Sequence, residues 1–139
     1  MVECRTDGAA LPAGNRSGYV GTATIADIDT AKNICLIGTN PRVEAPVLNA
    51  RLRKVWLTGA TIRVIGEAVD FTYPITHLGT GRDTLAKLAD GPVDEAISGA
   101  PSLVIVGQRA LLAADGAAVR GTAMRSTWVW RPGRFHGRG

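Results

Sequence analysis

The residues that could carry chemistry cluster around one turn, Gly38-Thr39-Asn40-Pro41-Arg42, which follows a short apolar run. A glycine turn between a strand and a helix can present main-chain N–H groups to an anion. A dinucleotide site needs more, a G-x-G-x-x-G fingerprint and an acid beyond the next strand. Here Gly38 stands alone, and only Glu67, just past the second apolar run, matches the place of a ribose-binding acid. A second glycine-rich stretch, Gly79-Thr80-Gly81-Arg82-Asp83, lacks the Lys-Ser/Thr pair of a P-loop and does not follow a predicted strand, so it reads as a loop-to-helix turn. Nucleophilic catalysis finds no G-x-S-x-G elbow. His77, one of two histidines, has no second ligand at useful spacing and reads as a loop hydrogen-bonder. Cys4 and Cys35 are the only cysteines, without C-x-x-C spacing, whereas an iron–sulphur cluster takes about four thiolates. Cys35 reads as a small buried hydrophobe; a Cys4–Cys35 disulfide stays open, although nothing suggests secretion. From the residues, no catalytic, cofactor-binding or metal-binding set emerges.

The elements that must position this turn are legible in the periodicity. Asn33–Ile37 is a short apolar strand ended by Gly38, and Pro41 biases Asn40 away from helical angles. From about Glu44 to Leu57 the period becomes helical, with Val47, Leu48, Leu52, Val55 and Trp56 on one face and Arg51, Arg53 and Lys54 off it. Gly59 ends that helix, and Thr61–Ile65 is a second strand closed by Gly66. A strand, a helix and a strand form a βαβ unit, with parallel strands and a right-handed crossover. Ser102–Val106, closed by Gly107, repeats the pattern, so tight glycine turns line the carboxyl edge of the sheet. Thr24–Lys32 reads as a short helix with Asp27 and Asp29 facing solvent, a further helix runs from the Gly79 stretch through Ala89, and Val93–Ile97 is a short helical stretch after Gly91-Pro92.

Composition supports one globular domain, with 45% hydrophobic residues and no apolar run near the roughly 20 residues that a membrane-spanning helix needs. The net charge of +4 is unevenly placed. Arg120, Arg125, Arg131, Arg134 and Arg138 lie in the last 20 residues without an acid; before them stand 11 basic and 12 acidic groups, a net of −1. The helical pattern after Ala118-Val119 fades at Met124, and Trp128, Trp130, Pro132 and glycines follow. The tail is expected to be disordered, the product of a frame change or truncation rather than an evolved basic arm.

These segments carry a resemblance. IADIDTAKNICLIGTNPRVEAPVLNARLRKVW, VIGEAVDFTYPITHLG and LVIVGQRALLAADGAAV, with CRTDGA near the start, resemble the large iron–sulphur subunit of bacterial NADH:quinone oxidoreductase, respiratory complex I. The most specific pieces are Gly38–Arg42, Asn49-Ala50-Arg51, Asp70–Tyr73 and His77-Leu78-Gly79. The region is similar in turn to the molybdopterin oxidoreductases, where a Gly-x-Asn-Pro turn lies near the pterin. The resemblance implies a degenerate domain without pterin, the family's cluster ligands lying in an amino-terminal part that this sequence does not include.

The expected fold is therefore α/β, a partial, open three-layer Rossmann-like parallel sheet with helices on its faces. Residues 1–32 are a lead-in, 33–119 the molybdopterin-oxidoreductase-like domain and 120–139 the basic tail. The expected role is scaffolding, as a fragment of that subunit, in electron transfer from NADH to quinone, with no cofactor in this chain and no catalysis by it alone. Gly38, Asn40 and Pro41 are the structural turn, and Arg42 and Arg51 polar anchors. Other subunits of the complex are the implied partners, with no direct membrane insertion and a cytoplasmic place peripheral to the inner membrane. Two alternatives stand beside this: a Rossmann-like dinucleotide-binding enzyme, and a nucleic-acid binder through the Arg/Trp tail, although nucleic acid is not the expected partner.

Overall fold

The structure, a computed structural model, describes residues 23–81, 83–84 and 102–125. Cys4, the stretches 85–101 and 126–139, and the readings placed on them lie outside these residues.

A 3-10 helix, Ile25–Thr30, precedes strand β1, Asn33–Ile37. Two helices follow, α1 (Pro41–Glu44) and α2 (Pro46–Leu57), then β2 (Thr61–Ile65) and β3 (Thr76–Gly79). After β4 (Ser102–Val106) come α3 (Gln108–Leu112) and α4 (Gly116–Arg125). The four strands form one parallel sheet in the order β3-β2-β1-β4. The chain moves outward from β1 through β2 to β3 and then returns to the far side of β1, so its direction of winding reverses between β1 and β4.

β1 is buried along its whole length because both of its faces are covered. Ile34 and Leu36 join Leu52, Val55, Ile62, Val64 and Phe71 in the larger core, to which Ile28 and Ala31 also belong. Cys35 and Ile37 pack on the other face with Ile65 and Val119. This two-sided burial is why β1 reads as an unbroken apolar run rather than an alternation. The core thus begins before residue 33, and α4 crosses the predicted boundary at Val119.

Three predicted features change. The helix expected from Glu44 is split: Pro46 cannot donate a main-chain hydrogen bond, Ala45 has left helical angles, and α2 starts at Pro46. Val47 is 78% exposed rather than part of the core face, which narrows to Leu52 and Val55 with Leu48 and Trp56 at its margin. His77 sits on strand β3 rather than in a loop, so the Gly79 stretch does follow a strand directly. The four residues of β3 are only partly covered or exposed and lack the apolar run that identifies the other strands. The helix end is as expected: the Ala60 and Gly59 N–H groups donate to the carbonyls of Val55 and Trp56, the two bonds of a Schellman cap.

Candidate functional site

The carboxyl edge of the sheet is where a parallel α/β fold gathers its functional loops. Here main-chain hydrogen bonds cross it from strand to strand. Gly66 N–H donates to Gly79 O at 3.0 Å, Gly38 N–H to Ile65 O at 2.8 Å and Gly107 N–H to Ile37 O at 2.8 Å. The glycines past the strands therefore continue the ladder. Gly38 has φ +58°, and a Cβ there would stand 2.6 Å from the Ala110 Cβ. Gly107 has an ordinary φ of −77°, but a Cβ on it would overlap the Gly38 carbonyl oxygen. Glycine is needed at Gly107 for close approach and at Gly38 for close approach and backbone angle together. The crevice between β1 and β4, at the winding reversal, is closed by this contact.

Beside it, the β1 turn is held from within. The Glu44 carboxylate accepts the Asn40 main-chain N–H at 3.0 Å and the Thr39 hydroxyl at 3.0 Å. Pro41 is buried at the first position of α1, where its missing N–H is no loss. Asn40 buries its side-chain oxygen, which has no hydrogen-bond partner in the structure. A cleft of about 330 Å³ opens next to the turn, at the ends of β1 and β2, and includes Asn40, Glu44, Val64, Glu67, Val69 and Arg109 in its lining. Arg109 and Glu67 meet at 3.5 Å at exposed positions.

The two arginine anchors stand away from the cleft. Arg42 donates to the Asp70 carboxylate at 2.7 Å and to the Asp70 carbonyl at 3.2 Å. The Thr72 main-chain N–H and then Arg42 hold the Asp70 carboxyl below its ordinary range. Thr72 has φ +63°, unusual for a β-branched residue, and the Asp70 carboxylate caps that kink. Arg51 pairs with Asp29 at 2.7 Å and ties α2 to the 3-10 helix. Solvent screens both pairs, so they orient the segments they join more than they stabilise them. Gly38, Asn40 and Pro41 thus share one turn, while Arg42 and Arg51 bind separate segments to α1 and α2. Sequence reasoning missed Glu44 as the turn's own acceptor; an acid four residues after Asn40 was the available signal. It also missed Arg109, for which a lone arginine after Gly107 gave none.

His77 Nε2 lies 2.7 Å from the Gly66 carbonyl, a hydrogen bond across the sheet edge. Cys35 is fully buried, and burial pushes its thiol up to about 12. Among the described residues no three His, Cys, Asp or Glu side chains are grouped to hold a metal.

Comparison with known proteins gives this edge its context. A family described as molybdopterin oxidoreductase matches residues 1–126. The mitochondrial NADH dehydrogenase (ubiquinone) iron-sulfur protein 1 of Solanum tuberosum is 40% identical over 106 residues, covering 74% of this chain and 14% of that protein. The mitochondrial NADH-ubiquinone oxidoreductase 78 kDa subunit of Neurospora crassa is 43% identical over 94 residues, covering 66% of this chain and 13% of its own length. The Candida albicans protein of the same name is 40% identical over 106 residues, covering 75% of this chain and 15% of its own length. The chain therefore spans only a small part of these relatives, and its resemblance to the large subunit of complex I stands. With its parallel sheet and glycine-closed strand ends, the chain belongs to the molybdopterin oxidoreductase family.

Proposed function

We propose that the chain is a scaffolding part of a complex I-type large subunit, supporting electron transfer from NADH towards quinone without a cofactor of its own. The observation that carries this reading is the Glu44 carboxylate on the Asn40 N–H and the Thr39 hydroxyl. A molybdopterin's phosphate brought to this turn would have to displace that carboxylate. The packing of Gly107 and Ala110 on Gly38 fills the neighbouring crevice. These residues do not fit a pterin at the β1 turn, and they favour a braced edge over a binding edge.

The relatives' names support the assignment to the complex, whose other subunits are the proposed partners. Among the described residues no helix is long and apolar enough to cross a membrane, in keeping with a peripheral place in the assembly. The dinucleotide-enzyme reading is weaker, because Gly38 stands without the rest of a glycine fingerprint and the donors of its turn are held by Glu44.

Native gels of membranes from cells carrying a tagged copy of the gene test the proposal. The tag is expected to migrate with NADH:quinone oxidoreductase activity, and the purified chain to contain neither iron nor molybdenum in stoichiometric amount. A tag that migrates alone, or a purified chain holding one metal per molecule, would overturn it.

A further inference from the structure

We propose that the outer face of α2 is a docking seam for an acidic amphipathic helix of a partner protein. One face of α2 is seated in the core through Leu52 and Val55. The opposite face is open to solvent: Val47 is 78% exposed and Leu57 62%, and Ala50 and Lys54 between them are exposed as well. At roughly 100° per residue these four fall within an arc of about 80°, on the side away from Leu52 and Val55. Val43 of α1, four residues before Val47, is 74% exposed too.

Spacing and charge together commit this face to one occupant. Val47, Ala50, Lys54 and Leu57 follow one another at intervals of three, four and three, the pattern by which one helix receives the side chains of another crossing at about 20°. A strand presents every second residue and would meet only part of this seam. Ala50 stands near its middle, and its single methyl lets a second helix axis come close. The charge is one-sided: α2 holds Arg51, Arg53 and Lys54 and no acid. Arg51 is paired with Asp29, whereas among the described residues no acid pairs with Arg53 or Lys54, both exposed. A helix with Asp or Glu beside its own apolar seam would satisfy both cations while their stems lie along the contact. A second copy of α2 would bring the same cations and no acid, so self-pairing is disfavoured. The seam spans about 15 Å, too short to hold a complex alone and suited to one element of a larger interface. The inference therefore rests on the scaffolding reading.

The test titrates the isotope-labelled full chain with capped helical peptides: leucines at heptad spacing flanked by glutamates, the same leucines flanked by lysines, and the glutamate peptide with its leucine spacing scrambled. The acidic heptad peptide is expected to move the amides of Val47, Ala50, Lys54 and Leu57 saturably. It should bind about threefold tighter than the lysine peptide, the scale of exposed ion pairs. Leu57→Ser should weaken it about tenfold, through lost apolar contact. Arg53→Glu and Lys54→Glu together should reverse the preference in favour of the lysine peptide. These side chains are exposed, so the fold tolerates the changes, which the same spectra check. Equal binding of all the peptides, a preference that survives the charge reversal, or no saturable shift would each sink the seam. So would a concentration-dependent dimer broken by Leu57→Ser, which makes a second copy the occupant. Val47 and Leu57 methyls shielded from a soluble spin probe before any peptide is added would mean that the chain covers the seam itself, and would overturn it as well. If the chain migrates with the oxidoreductase while the peptides leave α2 untouched, the seam is wrong and the scaffolding reading stands. Acidic-helix binding by a chain that migrates alone keeps the seam and overturns the scaffolding reading.

Discussion

The Tyr73 hydroxyl donates to the Asn49 side-chain oxygen at 2.8 Å, joining α2 to the segment between β2 and β3. Tyr73 also stacks on Trp56 at 6.0 Å and leans on Phe71 at 5.8 Å. Two of the segments that carry the sequence resemblance, Asn49–Arg51 and Asp70–Tyr73, are therefore one contact. Tyr73→Phe keeps the stacking and removes the hydrogen bond, so it is expected to cost about 1 kcal/mol. Tyr73→Ala should cost about 3 kcal/mol or more, through lost burial and a cavity. Urea unfolding followed by circular dichroism measures both, and equal losses would mean that the ring packing contributes nothing.

Leu52 and Arg53 test the seating of α2. Leu52 is fully buried, so Leu52→Asp places an unpaired charge in the core and is expected to unfold the domain. Arg53 faces solvent, and Arg53→Asp should stay within about 0.5 kcal/mol of the parent. Thermal melts of the two variants should differ plainly; equal tolerance would contradict the packing.

Gly107→Ala tests the closed crevice. The added methyl would overlap the Gly38 carbonyl oxygen, so β1 and β4 must part or the turn must shift. A loss of about 2 kcal/mol is expected, typical of overpacking a tight contact. Calorimetry that found no loss of stability would show that the crevice yields easily.

Alkaline pH should unfold the domain through two buried acids. Burial raises Cys35 from 9.0 to about 12 and Tyr73 from 10.0 to about 12. Both protonated forms are favoured in the folded state, so the unfolded chain releases protons first as pH rises. Their contribution is fully present below pH 9 and is lost between pH 9 and about 12. Stability measured across that window should fall, and Cys35→Ala should flatten the portion that begins near pH 9. An unchanged slope in that variant would assign the loss to other groups.

The sequence made the sheet legible where burial was two-sided. Asn33–Ile37, Thr61–Ile65 and Ser102–Val106 keep their predicted bounds because apolar runs ended by glycine admit few other readings. β3 was hidden, since Thr76–Gly79 is partly exposed and takes its strand form from pairing with β2 rather than from its own composition. The turn at Gly38 was legible as a turn, but not its occupant: Glu44 was assigned to α2 by period, and only the break at Ala45 and Pro46 leaves it in α1, one turn from Asn40. The partners of Arg42 and Arg51, Asp70 and Asp29, lie 28 and 22 residues away, beyond any local pattern.

The main-chain bonds of Gly66, Gly38 and Gly107 bear on exchange with solvent. In an edge that opens to admit ligands, the loop amides trade hydrogen quickly, because local opening is cheap there. Here those three N–H groups are fastened to Gly79, Ile65 and Ile37 beyond the strand ends. Their deuterium uptake should therefore follow the slow kinetics of the β1 core and not those of surface loops. The carboxyl edge of this sheet would then belong to the last unit to open.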